Sequence, residues 1–160
     1  MSSSTNSATL APHKYEVFLS FRGEDTRYGF VSHLFKALVG KGIRTYIDEK
    51  SLERGNEIAY SLQHAIQESK ACVVVFSENY ASSRWCLDEL VHILKCKERH
   101  GQIVVPIFYH VEPTHVRNKN GRFGEAFSTL EDRFPGSSVG WRTALSTATG
   151  LAGWHLSGTR

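Results

Sequence analysis

The sequence predicts an α/β domain built on a flavodoxin-like doubly wound parallel sheet. Three observations carry that expectation. Strand-like apolar runs alternate with stretches of helical spacing, in the order β-α-β-α-β-α-β. The run Ala71-Cys72-Val73-Val74-Val75-Phe76 is apolar throughout, as a parallel strand covered on both faces requires. The 160 residues suit a single domain, and 41% hydrophobic against 22% charged residues excludes disorder along the whole length.

The elements follow in order. Residues 1–12, rich in Ser, read as a disordered leader. Residues 15–21 are rich in aromatic and β-branched types and form the first strand. Arg22-Gly23-Glu24-Asp25-Thr26 breaks it and supplies a loop and a helix cap. Phe30, Val31, Leu34, Phe35 and Leu38 then recur at helical spacing, and Gly40 and Gly42 end that helix. Residues 43–47 form the second strand and 48–56 a polar loop. Ile58, Leu62, Ala65 and Ile66 mark a second helix, residues 71–76 the third strand, and 83–99 a third helix. Residues 102–108 form the fourth strand. A polar loop over 109–121 leads to helical stretches near 122–133 and 140–153, and 157–160 is a tail. Right-handed crossovers place ligands beyond the carboxyl ends of such strands, so loops 22–26, 48–56, 77–84 and 109–121 hold the candidate site.

Composition removes several classes of function. A net charge of +3 is too mild to demand nucleic acid or an anionic membrane. Three Cys without a CxxC pair give neither a disulfide framework nor a zinc knuckle, and point to a reducing compartment. No apolar stretch reaches the length of a membrane span. The N-terminus lacks a signal pattern and a Gly after Met1, so cytoplasm or nucleus is the default expectation. Eight His are scattered; His110 and His115 flank Pro113 beside Glu112, but no HxxxH pair exists, so no metal site is expected.

The third helix carries two stripes. Leu87, Leu90, Val91 and Leu94 form the expected core face. Trp85, Glu89, His92 and Cys96 fall nearly opposite. A Trp one turn before a carboxylate suits a pocket wall, with the ring stacked on a flat ligand and the carboxylate meeting positive charge. A solvated helix face with one aromatic laid along it is the commoner meaning of that spacing, and spacing alone prefers it. Asp88 and Glu89 point about 100° apart, so they cannot share one site, and Glu89 lies under Trp85. In the loop after the first strand, Gly23 permits close approach to the backbone, a helix N-terminus favours anions, and Arg22 and Arg27 add phosphate-binding capacity. A capped turn with surface charges explains the same residues. Cys86 reads as an inert thiol.

Six blocks in sequence order resemble the plant class of TIR (Toll/interleukin-1 receptor/resistance protein) domains over residues 13–156. They are Tyr15-Glu16-Val17-Phe18-Leu19-Ser20-Phe21-Arg22-Gly23-Glu24-Asp25-Thr26-Arg27, Gly42-Ile43-Arg44-Thr45-Tyr46-Ile47-Asp48, Leu52-Glu53-Arg54-Gly55-Asn56-Glu57-Ile58 (the BB loop), Ser83-Arg84-Trp85-Cys86-Leu87-Asp88-Glu89-Leu90, Pro106-Ile107-Phe108-Tyr109-His110-Val111-Glu112-Pro113 and Gly153-Trp154-His155-Leu156. The resemblance implies a signalling domain of plant intracellular immune receptors that cleaves NAD+ between nicotinamide and ribose. It puts the catalytic carboxylate on Glu89 and lifts the pocket reading of Trp85. It implies substrate contacts from Phe21, Arg22, Gly23, Arg27, Trp85 and Cys86, while Asp48 is assigned either ribose hydroxyls or its own loop. NAD+ or NADP+ enters as substrate, with no cofactor and no metal. Self-association is implied through one face carrying Ser32 and His33 and another carrying Arg117, Gly140 and Trp141. Trp141 is either an exposed interface residue or core. A C-terminal nucleotide-binding and leucine-rich-repeat portion is the implied partner in the full-length protein. The competing function is a non-catalytic scaffold acting by homotypic contact.

Overall fold

The computed structural model describes residues 14–26, 29–47 and 60–156. Five parallel strands form one sheet: β1 (Tyr15–Ser20), β2 (Thr45–Ile47), β3 (Ser69–Phe76), β4 (Ile103–Tyr109) and β5 (Trp154–Leu156). Their order is β2-β1-β3-β4-β5, a doubly wound parallel sheet of the class expected from the sequence. Six helices accompany them among the described residues: α1 (Phe30–Gly40), α2 (Tyr60–Gln67), α3 (Arg84–His100), α4 (Pro113–Asn118), α5 (Gly121–Arg133) and α6 (Ser138–Thr149). Shorter helical turns span Gly23–Thr26, Tyr80–Ser82 and Pro135–Ser137.

Strand alternation sorts the core onto two faces. Phe18, Cys72, Val74, Val104 and Phe108 point to the face covered by α2, α3, α5 and α6. Leu19, Val75 and Ile107 point to the other, where Phe30, Leu34, Phe35 and Leu38 of α1 cover them. The apolar stripe read from the sequence is therefore the packed face of α1. Gly42 ends this helix in the left-handed region at φ +82°, where its N–H bonds the carbonyl of Val39 at 2.9 Å.

Three expectations need correction. The polar loop 109–121 contains α4, whose first residue Pro113 suits a helix start by its fixed φ. The helical stretch expected to run to residue 153 ends at Thr149, and Gly153-Trp154-His155-Leu156 supplies a fifth strand. Pro106 in β4 has no N–H to donate, and the ladder to β5 begins at the next residue, Ile107 against Trp154. Gly153 is required just before it: a Cβ there would stand 2.1 Å from the Pro106 carbonyl oxygen. Third, α3 has no solvated face along its first three turns. Leu87 and Leu90 are buried, and so are Trp85, Glu89 and Cys96 on the opposite stripe. Among the described residues no helix is long and apolar enough to cross a membrane. The leader 1–12 and the loop 48–56 lie outside the described residues.

Candidate functional site

The chain leaves β1 toward β2 on one side and returns to β3 on the other, so β1 and β3 meet at the switch point of the sheet. In doubly wound sheets the loops that diverge at this point form the ligand crevice at the carboxyl edge. The loop Phe21-Arg22-Gly23 stands over β1, and α3 begins beyond β3. Ser83 caps α3, its hydroxyl accepting the N–H of Cys86 at 3.1 Å. Trp85 and Glu89 stand on the first two turns of α3, directly after this cap.

Glu89 is 3% exposed and Trp85 is 6% exposed. A carboxylate is almost never this buried without partners or a task. Glu89 faces the sheet: its charge raises the pKa of the Tyr80 phenol and of the Cys72 thiol, adding to the larger effect of burial on each. The Trp85 indole N–H is buried with no acceptor among the described residues. Glu89, His92 and Cys96, placed opposite the core by helical counting, thus face β3 and α2. His92 hydrogen-bonds the backbone of Gln63, and Cys96 Sγ lies 3.7 Å from His92 Nε2.

Across the crevice, Arg22 is half-buried and Gly23 is buried. The Arg22 carbonyl accepts the Thr26 hydroxyl at 3.2 Å. The helix N-terminus expected here is a single turn, separate from α1, so few peptide dipoles are aligned behind it. Phe21 and Cys86, both expected to meet substrate, sit differently. The Phe21 ring packs in the core with Leu19, Val31, Val75 and Ile107. The Cys86 thiol is buried and donates to the Phe21 carbonyl at 3.5 Å, so it ties α3 to the loop instead of reaching the crevice. Arg27, Asp48 and the BB loop 52–58 lie outside the described residues.

Two buried hydroxyls escaped the reading of the sequence. Ser20 Oγ, at the end of β1, is 2.9 Å from Tyr80 Oη, and Tyr80 O–H donates to the Cys86 carbonyl at 3.1 Å. The available signal was a Tyr inside a loop already assigned to the carboxyl edge, residues 77–84, together with a Ser ending the first strand.

The residues assigned to self-association are spread over three helices. His33 is exposed and Ser32 half-buried on α1; Arg117 on α4 and Gly140 on α6 are exposed. Trp141 is 1% exposed, which corrects its exposed reading: it lies under α6 with its indole N–H donating to Asp88 Oδ1 at 2.9 Å. His110, His115 and Glu112 do converge with His155, Glu78 and Arg122 around a cavity of about 320 Å³ beyond β4 and β5. Arg122 pairs with Glu78 at 3.4 Å, and His155 Nε2 lies 3.9 Å from Glu112 Oε2. Among the described residues no group of three or more ligating side chains could hold a metal ion.

A family model described as TIR domain matches residues 14–160. Disease resistance protein RPV1 of Vitis rotundifolia is 55% identical over 156 residues, which is 96% of this chain and 11% of that protein. TMV resistance protein N of Nicotiana glutinosa is 51% identical over 156 residues, 96% of this chain and 13% of that protein. A solved structure of the TIR domains in the activated Roq1 resistosome, directly recognizing the pathogen effector XopQ, superposes with a TM-score of 0.84 at 50% identity, covering 91% of this chain and 90% of that one. The chain therefore spans only 11% to 13% of the length of the two resistance proteins.

Proposed function

The chain belongs to the TIR domain family, and from that premise we propose that it cleaves the N-glycosidic bond of NAD+, releasing nicotinamide and an ADP-ribose-type product. The observation that carries this reading is a buried carboxylate, Glu89, one turn below a Trp whose indole N–H has no acceptor among the described residues, at the switch point of the sheet. Bond cleavage builds oxocarbenium character on the ribose. A fixed carboxylate beside that carbon stabilises it, or attacks it to form a glycosyl-enzyme that water then opens. Nicotinamide leaves as a neutral amine, so no strong general acid is needed, and one carboxylate suffices. Trp85 holds the flat ring of the substrate, and Arg22 and Gly23 meet the pyrophosphate. The test is incubation of concentrated protein with NAD+, with nicotinamide followed by chromatography. Self-association without any nicotinamide release would leave the scaffold role.

The Arg22 loop sets an expectation about substrate charge. A guanidinium and a Gly backbone favour phosphate by charge and geometry. The same guanidinium and backbone meet an added phosphate as readily as the pyrophosphate, so NADP+ is accepted beside NAD+. Arg22→Ala should raise KM for both by about tenfold, the loss of one charge-assisted contact present before and during reaction. Unchanged kinetics in that variant would move the phosphates elsewhere, and strict rejection of NADP+ would expose a discriminating group.

The likeness to a domain of the Roq1 resistosome supports activity in an assembly. His33 and Ser32 lie on α1 away from its packed face of Phe30, Leu34 and Leu38. Changing both to Ala should weaken self-association, seen by light scattering at rising concentration, and lower activity in proportion while melting stays at the parent temperature. A double variant that associates normally removes this pair from the interface. In the full-length protein we place this domain ahead of a nucleotide-binding and leucine-rich-repeat portion, inside the cell, as a signalling element of plant immunity. The much greater length of the resistance proteins it resembles supports that placement.

A further inference from the structure

Cleavage by one carboxylate makes its placement decisive. Glu89 and the Arg22 loop stand on segments that meet only through contacts distant in sequence, so something must hold α3 against the end of β1. Two bridges do so. The Cys86 thiol donates to the Phe21 carbonyl at 3.5 Å. The second bridge runs through Tyr80, whose side chain is 0% exposed. The Tyr80 hydroxyl has one proton, and it is directed to the Cys86 carbonyl at 3.1 Å. The 2.9 Å contact with Ser20 is then a bond donated by Ser20 and accepted by Tyr80. The order Ser20 to Tyr80 to Cys86 links the last residue of β1 to the first turn of α3, one residue from Trp85.

A Phe at position 80 would keep the edge-on packing against Phe76, where the ring centroids are 4.9 Å apart. It would also spare the burial of a hydroxyl. The net gain from a buried hydrogen bond over the same groups in water is small, so what the hydroxyl adds is direction more than stability. We propose that Tyr80, together with Ser20, is a positioning residue: its hydroxyl locks the first turn of α3 to the end of β1 and so sets where the Glu89 carboxylate and the Trp85 ring stand relative to the Arg22 loop. The proposal rests on the NAD+-cleavage reading for its kinetic consequence, and on geometry alone for its structural one.

The experiment compares Tyr80→Phe, Ser20→Ala and the double variant with the parent chain. Nicotinamide release is measured per folded molecule, with the folded fraction taken from circular dichroism. In parallel, iodoacetamide labelling is followed at each Cys by mass spectrometry. Tyr80→Phe should lower kcat by about ten- to hundredfold, the scale of a misplacement near 1 Å. KM should stay within about twofold, because the misplaced group acts in the transition state. Ser20→Ala should act in the same direction, and the double variant should be no worse than Tyr80→Phe, since both break one chain. Labelling of Cys86 should rise by about fivefold or more as the first turn of α3 loosens. Cys72 and Cys96, buried elsewhere in the core, should stay protected.

Parent kcat in a fully folded Tyr80→Phe, a loss accounted for by folded fraction alone, or additive effects in the double variant would overturn the proposal. If the parent chain releases no nicotinamide, the cleavage reading has failed, and labelling decides the lock by itself: Cys86 as protected in Tyr80→Phe as in the parent overturns it. If Tyr80→Phe does not fold, Ser20→Ala decides by the same two readouts.

Discussion

Glu89→Ala should abolish nicotinamide release, lowering the rate by at least about 10²- to 10³-fold, the loss expected when one fixed group that stabilises developing charge is removed. The carboxylate is 3% exposed, so the Ala variant also leaves a void and changes the charge of the interior. Off-stripe position does not make this substitution cheap, because α3 is covered on both stripes. Glu89→Gln separates the two effects. It keeps the side-chain volume and much of the hydrogen-bonding capacity but carries no charge to meet the oxocarbenium ion. If charge at this carbon is what matters, Gln is as inactive as Ala while melting near the parent temperature. Parent-like release from a folded Glu89→Gln would remove Glu89 from the chemistry.

Glu89 also marks where reading the sequence reaches its limit. The alternation of runs and the apolar stretch 71–76 were enough to give a doubly wound parallel sheet and its first four strands, because right-handed crossovers leave few windings. Helical counting placed Glu89 and Trp85 together on one stripe, which holds. It placed that stripe in solvent, which does not. A single hydrophobic stripe identifies one buried face, but a helix lying on a sheet and flanked by α2 and α6 has more than one. Its second buried face here is built from Trp, Glu, His and Cys, and Glu89 and His92 break the apolar pattern that would have marked it as buried. The same limit explains Cys86, read as an inert thiol and, from the resemblance, as a substrate contact. Its thiol and its carbonyl serve two bridges whose other ends, Phe21 and Tyr80, no spacing rule connects to it. The fifth strand was missed because three residues with one exposed Trp give no alternation to count, and its place is set by Pro106 and Gly153 together.

Trp141→Ala should cost about 3–5 kcal/mol and lower the melting temperature by about 10 °C or more. The indole is 1% exposed and fills the space beside α3, edge-on to Phe127 at 6.4 Å and to Phe134 at 6.3 Å. Its N–H donates to Asp88 Oδ1 at 2.9 Å, and Asp88 Oδ2 lies 3.6 Å from Arg84 Nε. Arg84 in turn sits 4.2 Å over the Phe134 ring. Asp88→Ala therefore strands a buried indole N–H and should cost about 1–3 kcal/mol. The pair should be strongly non-additive: with Trp141 already removed, the Asp88 substitution loses most of its effect. Activity should separate from stability. Asp88 is directed to α6, whereas its neighbour Glu89 faces β3 and Tyr80, so Asp88→Ala at a temperature where it is folded should release nicotinamide at close to the parent rate per folded molecule. Thermal melts and single-temperature kinetics on the same preparations check both halves. Parent-like melting in Asp88→Ala would deny the tie to Trp141, and a loss of activity as deep as that of Glu89→Gln would mean that the two adjacent carboxylates act on one site despite their different bearings.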